Sequence, residues 1–277
     1  MDLNVNTHTT MTNQQLNFAK ALEAAVNEPG VVMQAYSNFH NYSIGNQILA
    51  LLQCQLRGLS AGPIATFPKW KSLGRHVKRG ERAISLCMPI TFKQRDSQDA
   101  ADAAGQLDSD EAFRTSFMFK PNWFVLSQTE GEEFELPSLP EWDTDTALRT
   151  LNFSRKEFTE TNGNTQGYAQ QNEFAINPVA QLPAKTQFHE LAHLVIGHTH
   201  EPPNERTPKD LREVEAEAVA LLCCEALNLP GAEFCRGYIQ SYWPKGTPIP
   251  EANAKRILGA ADKILKAGRP AASPTIH

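Results

Sequence analysis

The sequence predicts an α+β protein in two parts: a mixed α+β part, then a mainly helical part with a small sheet. The first half shows helical periodicity followed by alternating strand-like segments. The second half repeats amphipathic helical patterns around one extended run, and the proline-rich segment ELPSLPEW separates the halves. We expect a disordered N-terminus at 1–11, domains at 12–135 and 143–268 with a linker at 136–142, and a disordered tail at 269–277.

The first domain is expected to contain two antiparallel helices and a strand pair. One helix should run from Thr12 toward Pro29 and Gly30, and the second should cover SIGNQILALLQCQLRG and stop at Gly58. The segment ERAISLCMPITFKQ alternates apolar with other residues, as strands do, and FKPNWFVLSQTE is the strand expected to pair with it. The acidic connection at 95–112 predicts a mobile loop.

The second domain should begin with a helix at 143–153 and continue into the extended run QGYAQQNEFAINP. Helices are then expected at 184–198 and 210–227, and a last amphipathic helix in EANAKRILGAADKILKAG. The extended run could be the edge strand of a substrate groove, or an ordinary sheet edge.

Composition places the 277-residue chain in the globular class, with 41% hydrophobic and 21% charged residues. Because the sequence has neither an apolar run of 18 residues nor a signal peptide, we expect a cytoplasmic protein with no membrane partner. Five cysteines without CxxC spacing argue against a disulfide framework. Residues 62–95 carry eight basic residues and one acid, whereas 96–145 carry thirteen acids and two bases, which suggests separate surfaces for different partners.

The segment QFHELAHLVIGHTH contains the pattern His-Glu-x-x-His. Residues four apart on a helix differ by about 40° around its axis, so His189 and His193 can bind one ion. Glu190 is placed to act as general base toward an attacking water, which a zinc ion would activate. His198 and His200 are not expected to be ligands, since a cationic His198 would be favourable at the helix C-terminus without a metal.

A catalytic zinc also needs a third protein ligand and one open position. The candidates lie in LREVEAEAVALL, where Glu213 and Glu217 share a helix face and Glu215 points roughly opposite. This pattern resembles the thermolysin-type zincins and, more closely, the ImmA/IrrE metallopeptidases, although Val219 replaces an aromatic residue usual there. The resemblance implies one zinc ion per chain, Glu213 as third ligand and Glu217 as the acid that holds a histidine's other nitrogen. Tyr168 is a candidate contact for the substrate or oxyanion.

A basic segment, FPKWKSLGRHVKRGERAI, mixes cations with aromatic rings, as sites for single-stranded nucleic acid do. The alternative is a solvated basic turn with its tryptophan in the core. The candidate DNA-binding residues are Lys69, Trp70, Lys71, Arg75, Lys78, Arg79 and Arg82.

Three features resemble the N-terminal domain of the ArdC antirestriction proteins. They are the aromatic-x-x-x-Asn segment at Tyr42 to Asn46, the Thr-Phe-x-x-Trp motif that ends at Trp70, and the turn through Gly74, Val77, Gly80 and Glu81. That domain is associated with single-stranded DNA, and the same proteins carry a C-terminal zincin-like domain. The resemblance therefore implies a DNA-associated zinc metallopeptidase acting on an unidentified protein substrate. Two alternatives stay open: a non-catalytic DNA-protecting protein with a structural zinc, and an ImmA-like protease that cleaves a repressor.

Overall fold

The computed structural model describes residues 17–93, 113–160 and 164–270. The predicted N-terminal disorder, the acidic loop at 95–112 and residues 271–277 of the predicted tail lie outside them. The chain is α+β. The helices are α1 Phe18–Asn27, α2 Val31–Phe39, α3 Ile44–Arg57, α4 Phe67–Ser72, α5 Thr144–Leu151, α6 Pro183–Ile196, α7 Lys209–Ala226, α8 Ala232–Tyr242 and α9 Glu251–Ala267. The strands are β1 Ile64–Thr66, β2 Arg75–Val77, β3 Ile84–Lys93, β4 Phe113–Val125, β5 Thr129–Gly131, β6 Ser154–Arg155, β7 Gly167–Gln170 and β8 Glu173–Ile176.

Within the described residues, the N-terminal region has two helices that the sequence does not predict, α2 and the short α4. The side chain of Asn17 accepts a hydrogen bond from the backbone N–H of Lys20 and so caps α1. The chain then turns at Gly30, whose φ of 86° favours glycine, and enters the unpredicted helix α2. The carboxylate of Glu225, on α7, accepts a hydrogen bond from the Gly30 N–H at the start of α2. The sequence around Gly30 cannot show this cap, because its partner lies 195 residues away.

The strands of the N-terminal region form two antiparallel sheets. Strands β3 and β4 pair as predicted, and β1 adds to the other side of β4 to give the order β1-β4-β3. In the second sheet, β2 pairs with β5. This pairing brings part of the basic segment against part of the acidic one, with His76 Nε2 3.0 Å from Glu130 Oε1. Charges that are separate along the chain are therefore partly mixed in space.

The C-terminal region places its helices around a three-stranded sheet. Strand β8 pairs antiparallel with β7 and parallel with β6, so β7 is an edge of the sheet. The predicted helices are present as α5, α6, α7 and α9, and α8 is an addition that packs on α7. Helix α8 buries Cys235 and Ile239, but its sequence also contains Gly237 and several aromatic residues, which weaken a helical prediction.

Helix α9 connects the two regions. The Glu251 carboxylate, in its first turn, accepts a hydrogen bond of 2.8 Å from the N–H of Ala19, in the first turn of α1. Further along α9, Asp262 accepts one of 3.2 Å from the N–H of Ile44, at the start of α3. Division of the chain into two folding units at 136–142 stays a prediction. Within the described residues, no helix is long and apolar enough to cross a membrane.

Candidate metal centre and basic surface

Helix α6 carries two of the predicted ligands. Proline at the first helical position favours its start, and Gly197, with φ of 95°, ends it in the left-handed conformation. Between these ends, the i,i+4 spacing puts His189 and His193 on one face, with their Nε2 atoms 3.2 Å apart. Two imidazole nitrogens this close together are arranged to share one ion.

Helix α7 brings Glu213 to the same point. Its Oε2 atom lies 3.3 Å from Nε2 of His189 and 3.8 Å from Nε2 of His193. Around a tetrahedral ion with bonds of about 2.0–2.1 Å, ligand atoms are separated by roughly 3.3 Å. The two imidazoles and one carboxylate therefore fit a divalent cation and leave a fourth position for another ligand.

The second predicted acid, Glu217, lies behind the ligands. Its Oε1 atom is 3.1 Å from Nδ1 of His189, the ring nitrogen that faces away from the ion position. Lys185, which the sequence analysis missed, donates a hydrogen bond to the same Glu217 oxygen. Because Lys185 lies four residues before His189, its spacing on α6 was a usable signal. Glu217 therefore supports the His189 ring, and Lys185 in turn holds Glu217.

The ligands perturb one another's protonation. Burial alone would lower the pKa of His189, but Glu213 and Glu217 beside the ring raise this pKa to about 9. The two histidines lower the pKa of Glu213 well below its usual range. Burial opposes a similar shift at Glu217, yet His189 and Lys185 still lower the pKa of that carboxyl to about 2. Without a metal the site thus favours a proton on His189, which a cation must displace on binding.

Glu190 lies beside the ligands but is not one of them. It is only 6% exposed, and burial raises the pKa of its carboxyl to about 7. Gly167, in β7, packs directly against it. A Cβ atom at residue 167 would lie 3.1 Å from Cγ of Glu190 and 2.7 Å from Cγ2 of Thr186. Glycine therefore lets the edge strand approach the carboxylate closely.

A cleft of about 570 Å³ opens in front of these groups. Its walls come from the metal ligands, the edge strand β7, and two arginines that the sequence analysis missed, Arg206 and Arg212. Tyr168 lines the cleft as well. Its hydroxyl lies 3.3 Å from Oγ1 of Thr159, and Nζ of Lys156 lies 4.9 Å from the centre of its ring. The β7 backbone and Tyr168 are thus both placed to meet a molecule in the cleft.

His198 is buried in the structure, whereas the sequence suggested a cation at the C-terminus of the helix. After the left-handed turn at Gly197, its backbone N–H donates to the carbonyl of His193, and the side chain turns inward. The ring is buried between His193 and Glu215. The sequence does not predict this role, because the direction of the chain after a helix depends on what packs there.

The structure separates Trp70 from the other candidate DNA-binding residues. This ring is 1% exposed, and its indole N–H donates a 2.9 Å hydrogen bond to the carbonyl of Phe124. The Trp70 ring therefore belongs to the core, as the alternative interpretation of the segment expects, and is not exposed for stacking on a base. Phe67, one turn earlier on the same short helix, is 51% exposed instead.

The predicted cations divide into two groups. Arg75 donates to the hydroxyl and carbonyl of Thr129, and Lys78 donates to the carbonyl of Ser127. Both cations are therefore bound to the neighbouring segment of the same chain. The others have exposed side chains; they are Lys69, Lys71, Arg79 and Arg82. These four predicted cations and the Phe67 ring, which was not in the predicted set, form the basic surface.

Comparisons with known proteins agree with this architecture. Residues 7–120 match the family model of the N-terminal domain of anti-restriction factor ArdC. A metal-free crystal structure of the antirestriction protein ArdC from plasmid R388 covers 91% of this chain and 94% of its own, with 17% identity and a TM-score of 0.52. Its Mn(II)-bound crystal structure covers the same shares, with 18% identity and a TM-score of 0.47.

No curated protein matches the chain by sequence. At 17% identity, the likeness to the metal-free structure shows a shared fold. The family match covers the N-terminal helices and most of the first sheet, and the shared fold extends over the C-terminal region. The chain is therefore similar to ArdC in the sequence of its N-terminal part and in its fold.

Proposed function

We propose that this chain is a zinc-dependent metallopeptidase that works beside single-stranded DNA. The observation that carries the proposal is the position of Glu190, a buried carboxyl with a pKa of about 7 next to three candidate ligand atoms that lie 3.2–3.8 Å apart. Two histidines and a glutamate are a donor set that suits catalytic zinc. A purely structural site would need neither this neighbouring carboxylate nor an open cleft.

A bound zinc ion would lower the pKa of a water molecule and polarise the carbonyl under attack. The protein's own groups supply the remaining functions. Glu190 can accept a proton from the attacking water at its carboxylate and later pass it to the leaving amine. The backbone of β7 can hold an extended peptide by strand pairing, and Tyr168 is placed to bind the substrate or the developing oxyanion.

The DNA part of the proposal rests on the basic surface and on the ArdC N-terminal domain match. Exposed cations neutralise phosphates, and an exposed ring can stack on a base. Phe67 takes the stacking role that the sequence analysis gave to Trp70. The protein substrate is one met on or near such DNA, and the proposed compartment is the cytoplasm.

The test is Glu190→Gln, an isosteric change that removes the proton acceptor. Zinc-loaded wild-type and variant proteins would be incubated with denatured casein and with a proteome-derived peptide library, and new termini would be counted by mass spectrometry. We expect cleavage by the wild-type protein only, with equal zinc content in both. Cleavage that survives in the variant would contradict the proposed role of Glu190.

A second arm separates the alternatives. Protection of DNA from a restriction endonuclease would be measured for both proteins in cells. We expect the variant to lose protection. If protection survives Glu190→Gln, the non-catalytic DNA-protecting alternative replaces the peptidase as the biological function. If cleavage depends on Glu190 while DNA binding is absent, the repressor-cleaving alternative is favoured.

A further inference from the structure

The two histidine ligands are supported in different ways. His189 is backed directly by a carboxylate, that of Glu217, at 3.1 Å. His193 is backed by another imidazole, since its Nδ1 atom lies 2.9 Å from Nδ1 of His198. The His198 ring is almost completely buried, with 1% of its side chain exposed. A buried histidine in contact with a ligand needs a partner for its own second nitrogen.

That partner is Glu215, the glutamate that points away from the ligand face of α7. Its Oε2 atom lies 3.1 Å from Nε2 of His198. The other oxygen, Oε1, accepts a 2.7 Å hydrogen bond from Nδ2 of Asn253, and Nε of Arg256 lies 3.5 Å from it. Glu215 is fully buried, so these contacts replace the water that a carboxylate loses on burial. A continuous buried chain of polar groups thus runs from His193 to α9.

One arrangement of protons satisfies every contact in this chain when an ion is bound. Nε2 of His193 must offer its lone pair to the ion, so the proton of the neutral ring is on Nδ1. That N–H donates to His198, whose Nδ1 must then be the acceptor. The proton of His198 is consequently on Nε2, where it donates to the Glu215 carboxylate. Each nitrogen and oxygen has the role that its position requires.

We propose that His198 and Glu215 are positioning residues that fix the orientation and tautomer of His193. This inference rests on the proposed metal centre and adds to it a second support, behind His193 as Glu217 lies behind His189. Glu215 projects from the face of α7 that points away from the ligands, so it does not contact His193 itself. The His198 ring lies between them and contacts both. Removal of such an outer partner generally lowers metal affinity about 10-fold to 100-fold.

The first experiment measures the tautomers in the wild-type protein, so it does not depend on whether a variant folds. The protein would be labelled with ¹⁵N at histidine, loaded with zinc, and studied by long-range ¹H–¹⁵N correlation spectra, with His198 assigned from a variant. We expect neutral rings with the proton on Nδ1 in His193 and on Nε2 in His198. A proton on Nδ1 of His198 in the zinc-loaded protein would overturn the proposal.

The second experiment measures zinc affinity by competition with a chelator for His198→Ala, His198→Asn and the control His200→Ala. His200 is the matched control because it is exposed and its ring contacts Asn172. We expect about 10-fold to 100-fold weaker binding in His198→Ala, partial recovery in His198→Asn, whose amide oxygen can still accept from His193, and no change in the control. The visible spectrum of the cobalt-substituted protein should shift in the same order.

The outcomes distinguish this inference from the proposed function. If the wild-type protein binds no zinc, the metal centre itself fails. If the wild type binds zinc and both His198 variants bind it as tightly as the control, the metal centre stands and the positioning role fails. A change in the unfolding temperature of the His198 variants without a change in zinc affinity or cobalt spectrum would likewise show that His198 serves the core alone.

Discussion

The metal centre and the basic surface differ in how firmly the fold holds their side chains. At the metal centre, each histidine ligand has a buried partner behind it, Glu217 for His189 and His198 for His193. At the basic surface, the exposed cations lie on one short helix and a turn, and the cations with firm partners bind backbone carbonyls. A buried network fixes geometry for chemistry, whereas an exposed charge mainly supplies attraction. Substitutions in the two regions should therefore differ in both size and kind.

The largest expected effect is on catalysis at the metal centre. Glu190→Gln should lower the rate of peptide cleavage by about 10²-fold to 10⁴-fold, because general-base assistance is lost. Affinities for zinc and for a single-stranded oligonucleotide should stay within about 2-fold of wild type. Single-turnover cleavage of a peptide found in the library test measures the first effect, and chelator competition and fluorescence anisotropy measure the other two.

Trp70→Ala should have a large effect on stability although it lies in the basic segment. Removal of a buried tryptophan costs about 3–5 kcal/mol of unfolding free energy, and the hydrogen bond to Phe124 is lost as well. The matched control is Phe67→Ala, which removes a half-exposed ring from the same helix and should cost less than about 1 kcal/mol. Urea denaturation followed by circular dichroism measures both. Equal losses would contradict the placement of the two rings.

Glu217→Ala should weaken zinc binding by about 10-fold to 100-fold, because His189 loses the carboxylate that orients its ring. The control is Glu205→Ala, which removes an exposed glutamate and should leave zinc affinity unchanged. Chelator competition at constant pH provides the measurement. Unchanged affinity in Glu217→Ala would show that Glu217 does not support the ligand.

The smallest effect is expected for charge reversal on the basic surface. Arg79→Glu with Arg82→Glu should weaken single-stranded DNA binding several-fold and reduce the slope of log affinity against log salt by about 1.4, at about 0.7 per lost phosphate contact. Lys245→Glu with Lys263→Glu changes the net charge equally at exposed sites elsewhere. If both double variants lose the same affinity, the effect is one of net charge and not of this surface.

The sequence predicts the parts of the metal centre that lie on one helix. His189, Glu190 and His193 follow from i,i+4 geometry, and β3 and β4 follow from alternation in two neighbouring segments. The features that could not be predicted from the sequence depend on partners distant in the chain. Helix α2 starts where Glu225 caps Gly30, and His198 turns inward because α7 offers Glu215.

Trp70 illustrates the same limit at the basic surface. A tryptophan among cations is compatible with base stacking and with burial, and no local pattern separates the two. The choice depends on whether a carbonyl, here that of Phe124, lies within reach of the indole N–H. Exposure is a property of the assembled fold, so the ring that remains free, Phe67, could be identified only from the structure.

The proposed function requires that His189, His193 and Glu213 together hold one divalent cation. The most direct test is equilibrium dialysis of metal-free protein against zinc, and in parallel against Mn(II), followed by metal analysis of wild type, Glu213→Ala and the exposed-site control Glu205→Ala. We predict one zinc ion per chain in wild type and control, and loss of tight binding in Glu213→Ala. Absence of bound metal in the wild type, or undiminished binding in Glu213→Ala, would contradict the claim.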